Sequence, residues 1–240
     1  LTFKRVLIVF DSLRYDVYLE ADTRLFDENI GKPQKAFTNS NFTPSSFLCF
    51  VQYNRLPYPH PFKVKYNYLR NLKEQGINVH LFTGMSFLDK TDVYLRTKYH
   101  EYFKTWKCYE KHNCAKDILR DLQKVSVDDS YLILWFGETH HPYDFGNSKT
   151  VYLKTRIAEF NAGKDSLDEV YLETLKRRQG LALEWLVKEI WNRFLKDYDG
   201  QVIITSDHGE SFGENHKFGH GNDIHPCQFT VPLVFNSKQR

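Results

Sequence analysis

No run in this chain approaches about eighteen consecutive apolar residues, so no segment of it reads as a membrane-crossing helix. Nor is there a dense block of lysine and arginine. The 33 basic and 30 acidic residues leave a net charge of +3, too little to argue for nucleic acid as a partner. The cysteines are few: Cys49, Cys108, Cys114 and Cys227, with no Cys-x-x-Cys pair. They read as packing residues. A Cys108–Cys114 bridge is available in an oxidising compartment, and the compartment is left open. No signal peptide is legible, but the start almost directly on a strand-like run is compatible with a leader or anchor trimmed from a longer parent. Internal repeats and low-complexity tracts are also missing.

What remains is an ordinary globular composition, 41% hydrophobic and 26% charged over 240 residues. That length suits one large α/β domain, or at most two small ones. The 16% aromatic content is high. Aromatic side chains fill cores, and they also line sugar, lipid-headgroup and protein contact surfaces.

Strand-like and helix-like segments alternate along the chain. Val6 to Phe10 is a continuous apolar run of the kind a central parallel strand needs, and it ends on Asp11. Asn39 to Pro61 reads as loop or helix start. Tyr66 to Gln75 is helical and stops at Gly76. INVHLF and YLILWF are two further strands, with a helix over Asn113 to Val125 between them. The second delivers Gly137-Glu138-Thr139-His140-His141-Pro142-Tyr143. Ser166 to Glu169 has capping-box spacing ahead of a long helix. That helix carries Leu172, Leu175, Ala182, Leu186, Ile190 and Phe194 at helical spacing with one polar gap, and Gly200 marks its exit. QVIITSDHGE and FTVPLVF close the series as fourth and fifth strands. Alternation of this sort predicts a mostly parallel sheet with helices on both faces. The polar ends of its strands then meet at one edge, where α/β sheets bind ligands.

Three of those ends carry Asp, His or Glu. Asp207 and His208 offer one oxygen and one nitrogen ligand, and Gly209 lets the backbone turn behind them. Asp11 adds a second carboxylate from a neighbouring strand. An oxygen-plus-imidazole set suits Zn²⁺ or Mn²⁺, whereas Ca²⁺ and Mg²⁺ prefer oxygen alone.

FDSLRYD, THHPY, SDHGESFGENHKFGHG and TVPLVF, in that order, resemble the sulfatase-like branch of the alkaline phosphatase superfamily. That branch holds sulfatases, phosphodiester hydrolases, and phosphoethanolamine and phosphoglycerol transferases. The resemblance implies an alkaline-phosphatase-like three-layer α/β sandwich and a divalent metal (Zn, Mn, Ca or Mg) bound by Asp11, Asp207 and His208. It also implies that His140 and His220 contact the transferred group. One metal site is favoured. A second would draw on Glu138, His141, His216, Asp223 or His225, which show no Asp-x-x-x-His pairing. The relatives run well beyond 240 residues, so residues 1–240 read as a single catalytic domain, minimal or truncated at its C-terminus.

Such families also need a nucleophile that is itself a metal ligand. The sulfatase motif Cys-x-Pro-Ser-Arg occurs nowhere here, which turns the expected substrate from sulfate towards phosphorus esters. The corresponding stretch is Asn41-Phe42-Thr43-Pro44-Ser45-Ser46-Phe47. Strict alignment on Pro44-Ser45 puts Phe42 at the nucleophile position, a dead enzyme. A shift of one residue brings in Thr43, with Ser45 and Ser46 as alternatives; all suit a helix N-terminus.

Arg14 is placed either to steer a phosphate or to pair with Asp16, and Lys217 to offset charge on a phosphoryl oxygen. Glu210 reads either as an anchor behind a ligand or as a helix-start carboxylate. His80 reads as a core histidine, and His60, His100 and His112 as solvated. Trp185 and Trp191 read as packing residues. The expected activity is metal-dependent hydrolysis of a phosphoric ester on a small-molecule, glycan or lipid-headgroup substrate. The alternatives are a phosphoethanolamine- or phosphoglycerol-type transferase and a non-catalytic relative. Oligomeric state is left open.

Overall fold

The computed structural model describes residues 2–52, 68–85, 100–109, 111–221 and 223–236. His60, Pro61 and Tyr66, named above, lie outside the described residues. The main sheet has seven strands: β1 (Lys4–Phe10), β2 (Gln34–Phe37), β3 (Asn78–Thr83), β4 (Thr105–Cys108), β5 (Ser130–Phe136), β6 (Gln201–Ser206) and, after a short ribbon of β7 (Ser211–Phe212) and β8 (Phe218–Gly219), β9 (Thr230–Phe235). Their order is β2-β9-β6-β1-β5-β3-β4. The run from β6 to β4 is parallel, and β9 lies antiparallel between β6 and β2.

The helices are α1 (Tyr15–Glu20), α2 (Arg24–Asn29), α3 (Thr43–Gln52), α4 (Tyr68–Glu74), α5 (Ala115–Leu122), α6 (Lys154–Asn161), α7 (Glu169–Arg193) and α8 (Pro226–Phe229). Alternate residues of the central strands feed two separate cores, as the pleat requires. Val6, Ile8 and Phe10, with Leu132, Leu134, Val202 and Ile204, pack against Val17, Phe26, Ile118, Leu183, Leu186 and Ile190 of α1, α2, α5 and α7. Leu7 and Val9, with Val79, Leu81, Ile133 and Trp135, pack against Phe47, Leu69 and Leu72 of α3 and α4. The result is the three-layer α/β sandwich expected. Every residue of β5 is buried, because both faces are covered. Burying each such side chain is worth roughly 1.5–3 kcal/mol, so the strand ends that carry the site rest on a stiff platform.

The register sets where those ends fall. Phe10 stands opposite both Phe136 of β5 and Ser206 of β6. Asp11, Gly137 and Asp207 therefore leave the sheet side by side. A third cluster, Tyr143, Ile157, Phe160, Leu172, Leu175 and Phe218, packs the loops beyond that edge onto α6 and the start of α7.

Some expectations need correction. The Ser166–Glu169 box is not the cap of α7. The helix begins at Glu169 with Asp168 as N-cap, its carboxylate accepting from Val170 N at 2.9 Å. The fifth strand runs antiparallel. Strands β2 and β4 and the β7–β8 ribbon were not anticipated; they are short and lie at edges, where alternation has no room to show. Gly76 does follow a helix end, at φ +77°. The four cysteines are free, and Cys108 Sγ donates to Met85 O at 3.2 Å. Trp185 and Trp191 pack against the first core. No helix among the described residues is long and apolar enough to cross a membrane.

Candidate active site

Asp11, Asp207 and His208 are fully buried at the carboxyl edge, and their ligand atoms lie within 4.8 Å of one another. The loops are tied before the side chains are. Ser206 Oγ sits 2.6 Å from both Phe10 O and His208 O, and accepts from Leu13 N at 2.9 Å. Ser12, with φ at +62°, turns its N–H to Asp207 Oδ1 at 3.0 Å and its hydroxyl to Asp11 Oδ1 at 2.9 Å. Thr38 and Ser46 donate to Asp207 O at 2.7 and 2.8 Å.

The electrostatics are those of a cation site. Asp11 Oδ2 and Asp207 Oδ2 are buried with no hydrogen-bond partner. Burial, and then the neighbouring Asp207 charge, raises Asp11 well above the usual carboxylate range. Burial pushes Asp207 up to about 6 and His208 down to about 4. His208 Nδ1 donates to Gly209 O at 2.8 Å, which leaves the Nε2 lone pair facing Asp207 Oδ2 at 3.3 Å and Asp11 Oδ1 at 3.9 Å. Two orphaned buried carboxylate oxygens cost free energy unless a positive charge joins them, and the imidazole nitrogen that faces them is a further donor for it. These residues fit a divalent metal, with oxygen and nitrogen donors in a ratio that suits zinc or manganese.

Thr43 opens α3 beside this group. Its Oγ1 is 3.0 Å from His208 Nε2 and 3.5 Å from Asp11 Oδ1. Phe42 is 46% exposed, so the fold brings Thr43 and not Phe42 to the cluster. Ser46 is committed to the Asp207 carbonyl, and Ser45, though buried, makes no hydrogen bond to the cluster among the described residues.

Next to it lies a carboxylate of opposite character. Glu210 is also fully buried, yet Oε1 accepts from His220 Nδ1 at 3.2 Å and His141 Nδ1 at 3.4 Å, and Oε2 accepts a short bond from the Tyr143 hydroxyl. Burial alone raises it, but the two imidazoles outweigh burial and hold it well below the usual range. His220 packs its ring 4.2 Å from that of His208, and His140 lies 5.3 Å beyond it. Both expected histidines thus reach the site, and Glu210 anchors His220 and the neighbouring His141 rather than serving as a helix-start carboxylate.

Arg14 and Lys217 are engaged elsewhere. Arg14 is held by Asp16 at 2.7 Å, Glu214 at 2.5 Å and Glu210 O at 3.3 Å, and its phosphate-steering reading gives way to a structural one. Lys217 Nζ donates to Asn161 O at the end of α6. Of the residues weighed for a second metal, His141 stays in the site beside Glu210, but the others are dispersed: Glu138 caps α5, His216 lies tilted against Phe160 at 4.1 Å, Asp223 accepts from Asn215, and His225 caps α8. His112 is not solvated; its Nδ1 is buried and its ring lies against His140.

One residue went unread. Gln179, fully buried on α7, donates from Nε2 to Ser12 O at 3.0 Å and Thr139 O at 2.9 Å, and Oε1 lies 3.4 Å from Arg14 N. It occupies the single polar gap in the apolar stripe of the helix, which was the available signal.

The fold is an alkaline-phosphatase-like one, shared with solved phosphoethanolamine transferases and with a protein described as belonging to the alkaline phosphatase superfamily, as the motif resemblance led one to expect. No protein-family model and no curated protein matches the chain. Among solved structures, it is similar to the C-terminal periplasmic domain of phosphoethanolamine transferase EptC from Campylobacter jejuni, at 21% identity and TM-score 0.67 over 98% of this chain and 79% of that one. The integral membrane lipooligosaccharide phosphoethanolamine transferase A (EptA) from Neisseria meningitidis matches at 18% identity and TM-score 0.68. There the alignment covers 99% of this chain, which spans about half, 48%, of that protein. The C-terminal periplasmic domain of EcEptC from Escherichia coli, in complex with Zn, matches at 13% and 0.63 over 98% and 73%.

Proposed function

We propose that the chain cleaves a phosphoric ester with the help of one divalent metal, through a covalent intermediate on Thr43. The observation that carries this reading is the pairing of two orphaned buried carboxylate oxygens with a hydroxyl 3.0 Å from His208 Nε2.

Asp11, Asp207, His208 and Thr43 would hold the ion. When bound, it supplies Lewis-acid stabilisation of an ionised Thr43 hydroxyl and of charge on the phosphoryl oxygens. Thr43 Oγ1 attacks phosphorus; the new oxygen–phosphorus bond forms as the bond to the departing alcohol breaks. Its place at the start of α3 puts it at the positive end of that helix, where an anion is favoured. Burial lowers His220, its Nδ1–H tied to Glu210, so Nε2 takes up a proton from solvent as the phosphoryl anion arrives and then gives it to the departing oxygen. It takes one back from the incoming water as the Thr43–phosphorus bond breaks. His140 has committed Nδ1 to His141 O at 2.8 Å, and it meets substrate oxygens through Nε2. Burial first, then neighbouring His141, holds His140 well below the ordinary imidazole value, so an arriving anion draws a proton onto it.

Transfer to an alcohol instead of water is the second reading. It uses the same first half-reaction, and the transferases among the fold neighbours favour it. The test is turnover of an aryl phosphodiester by chelated and zinc-restored protein, with intact mass measured after brief mixing. A phosphoryl adduct that vanishes in Thr43→Ala supports the mechanism. Turnover that persists both in chelator and in Thr43→Ala ends it. Added acceptor alcohol that diverts product from free phosphate to a new ester selects transfer.

A further inference from the structure

Among the described residues, His140 has a single hydrogen bond to fix its ring, and that bond goes to the carbonyl of the very next residue. Such a local tie sets the tautomer but leaves the ring plane to packing. The packing comes from His112, whose ring lies face to face with His140 at 4.6 Å between centroids and 2° between planes. His220 meets the same ring edge-on, at 70°.

His112 is itself clamped. Gly84, just past β3, and Gly137, just past β5, leave the room its turn occupies. A Cβ on Gly137 would come within 2.9 Å of His112 Cα and 3.0 Å of its Nδ1. One on Gly84 would meet Lys111 O at 2.4 Å. Glu138 Oε1 accepts from Cys114 N and Ala115 N at 2.7 and 2.6 Å, so the turn is bolted to the loop that carries His140. Cys114 N closes back on His112 O at 3.0 Å, and Asn113 reaches Gly146 O at 2.8 Å. A ring presented from a turn held at this many points is a wall.

We propose that His112 is a positioning residue for His140: its clamped, coplanar ring fixes the His140 plane so that the Nε2 edge meets the substrate group beside His220. Before substrate arrives, the stack is one of two neutral rings. Burial, then neighbouring His141, pushes His112 down to about 4, and burial acts on His140 in the same direction. No hydrogen bond passes between the two rings, so flatness, and not chemistry, is what His112 contributes. A phenyl ring can therefore replace it, whereas a polar chain of similar bulk cannot.

The kinetic part of the test rests on the ester-cleavage reading; the spectroscopic part does not. On the intact chain without substrate, proton–nitrogen NMR of the histidine side chains reads the bonded His140 Nδ1–H. That signal should persist in His112→Phe and broaden or vanish in His112→Gln. With an aryl phosphodiester, His112→Gln should lose about tenfold or more in kcat with KM within about twofold, and His112→Phe should keep kcat within about twofold of the parent. An unchanged His140 signal in His112→Gln overturns the proposal. So does an equal loss in both variants. Thermal melts accompany each; if the Gln variant melts early, the Phe variant decides alone, and loss of its His140 signal is then the overturning result. A parent protein that turns over no ester sinks the functional reading while the NMR comparison still tests the stack.

Discussion

Four carboxylates are fully buried at one edge of this sheet; Glu138 is spent on the start of α5, and the other three could hardly be treated more differently. Asp11 and Asp207 each keep one oxygen without a donor. Glu210 has donors on both oxygens, from two imidazoles and a phenol. Burial raises all three, but in Glu210 the donors win and the group stays ionised. The difference separates two tasks. The aspartates are left short of positive charge, which a metal can supply. Glu210 is already satisfied, and it orients His141 and His220.

The sharpest way to break that contrast is to neutralise one member of each kind. Asp207→Asn should lower turnover by about 10³-fold or more, near 4 kcal/mol of barrier, while raising the melting temperature of metal-free protein, since an uncompensated buried charge is removed. Glu210→Gln should act with the opposite sign on stability, costing roughly 3 kcal/mol in urea unfolding as a buried pairing is broken. Equal destabilisation by both substitutions would erase the distinction.

Metal addition comes next. Zinc at about a hundred times its dissociation constant should stabilise the parent by about 2.7 kcal/mol in a thermal shift. The shift should disappear in Asp207→Asn and survive in Glu210→Gln.

The smallest expected effect concerns a buried titratable group outside the site. His80, in β3, is buried with Nδ1 unpartnered, and burial, then Lys104, lowers it below the ordinary 6.5. The unfolded chain binds its proton first, so this contribution to stability is whole above about pH 6.5 and declines as pH falls towards the folded value. His80→Leu should flatten the slope of stability against pH over that window, measured by urea midpoints. An unchanged slope would assign the acid sensitivity to other groups.

Much of this was legible in the chain. A buried apolar run that ends abruptly in Asp11, and another that ends in Asp207-His208, announces a parallel sheet with ligands at its edge. Packing confirms such runs because both faces of the strands are covered. The phrase from Ser206 to Gly221 is local, so its geometry survives translation from sequence. What could not be read depends on partners far away in the chain. Arg14 reads from the sequence either as meeting a phosphate or as pairing with Asp16, and nothing in the sequence points to Glu214, 200 positions away, as its second partner. His112, with charged and polar neighbours in sequence, gave no hint that two glycines make room for it against His140. Phe42 and Thr43 differ by one position in an alignment, and only the start of α3 decides which one turns inward.

Gln179 has a consequence beyond its hydrogen bonds. One amide on the long helix grips the turn after β1 and the turn after β5 at once, like a rivet through two plates. The metal-side loop and the histidine-side loop therefore cannot open independently. A slide of α7 along its axis would therefore strain both turns at once.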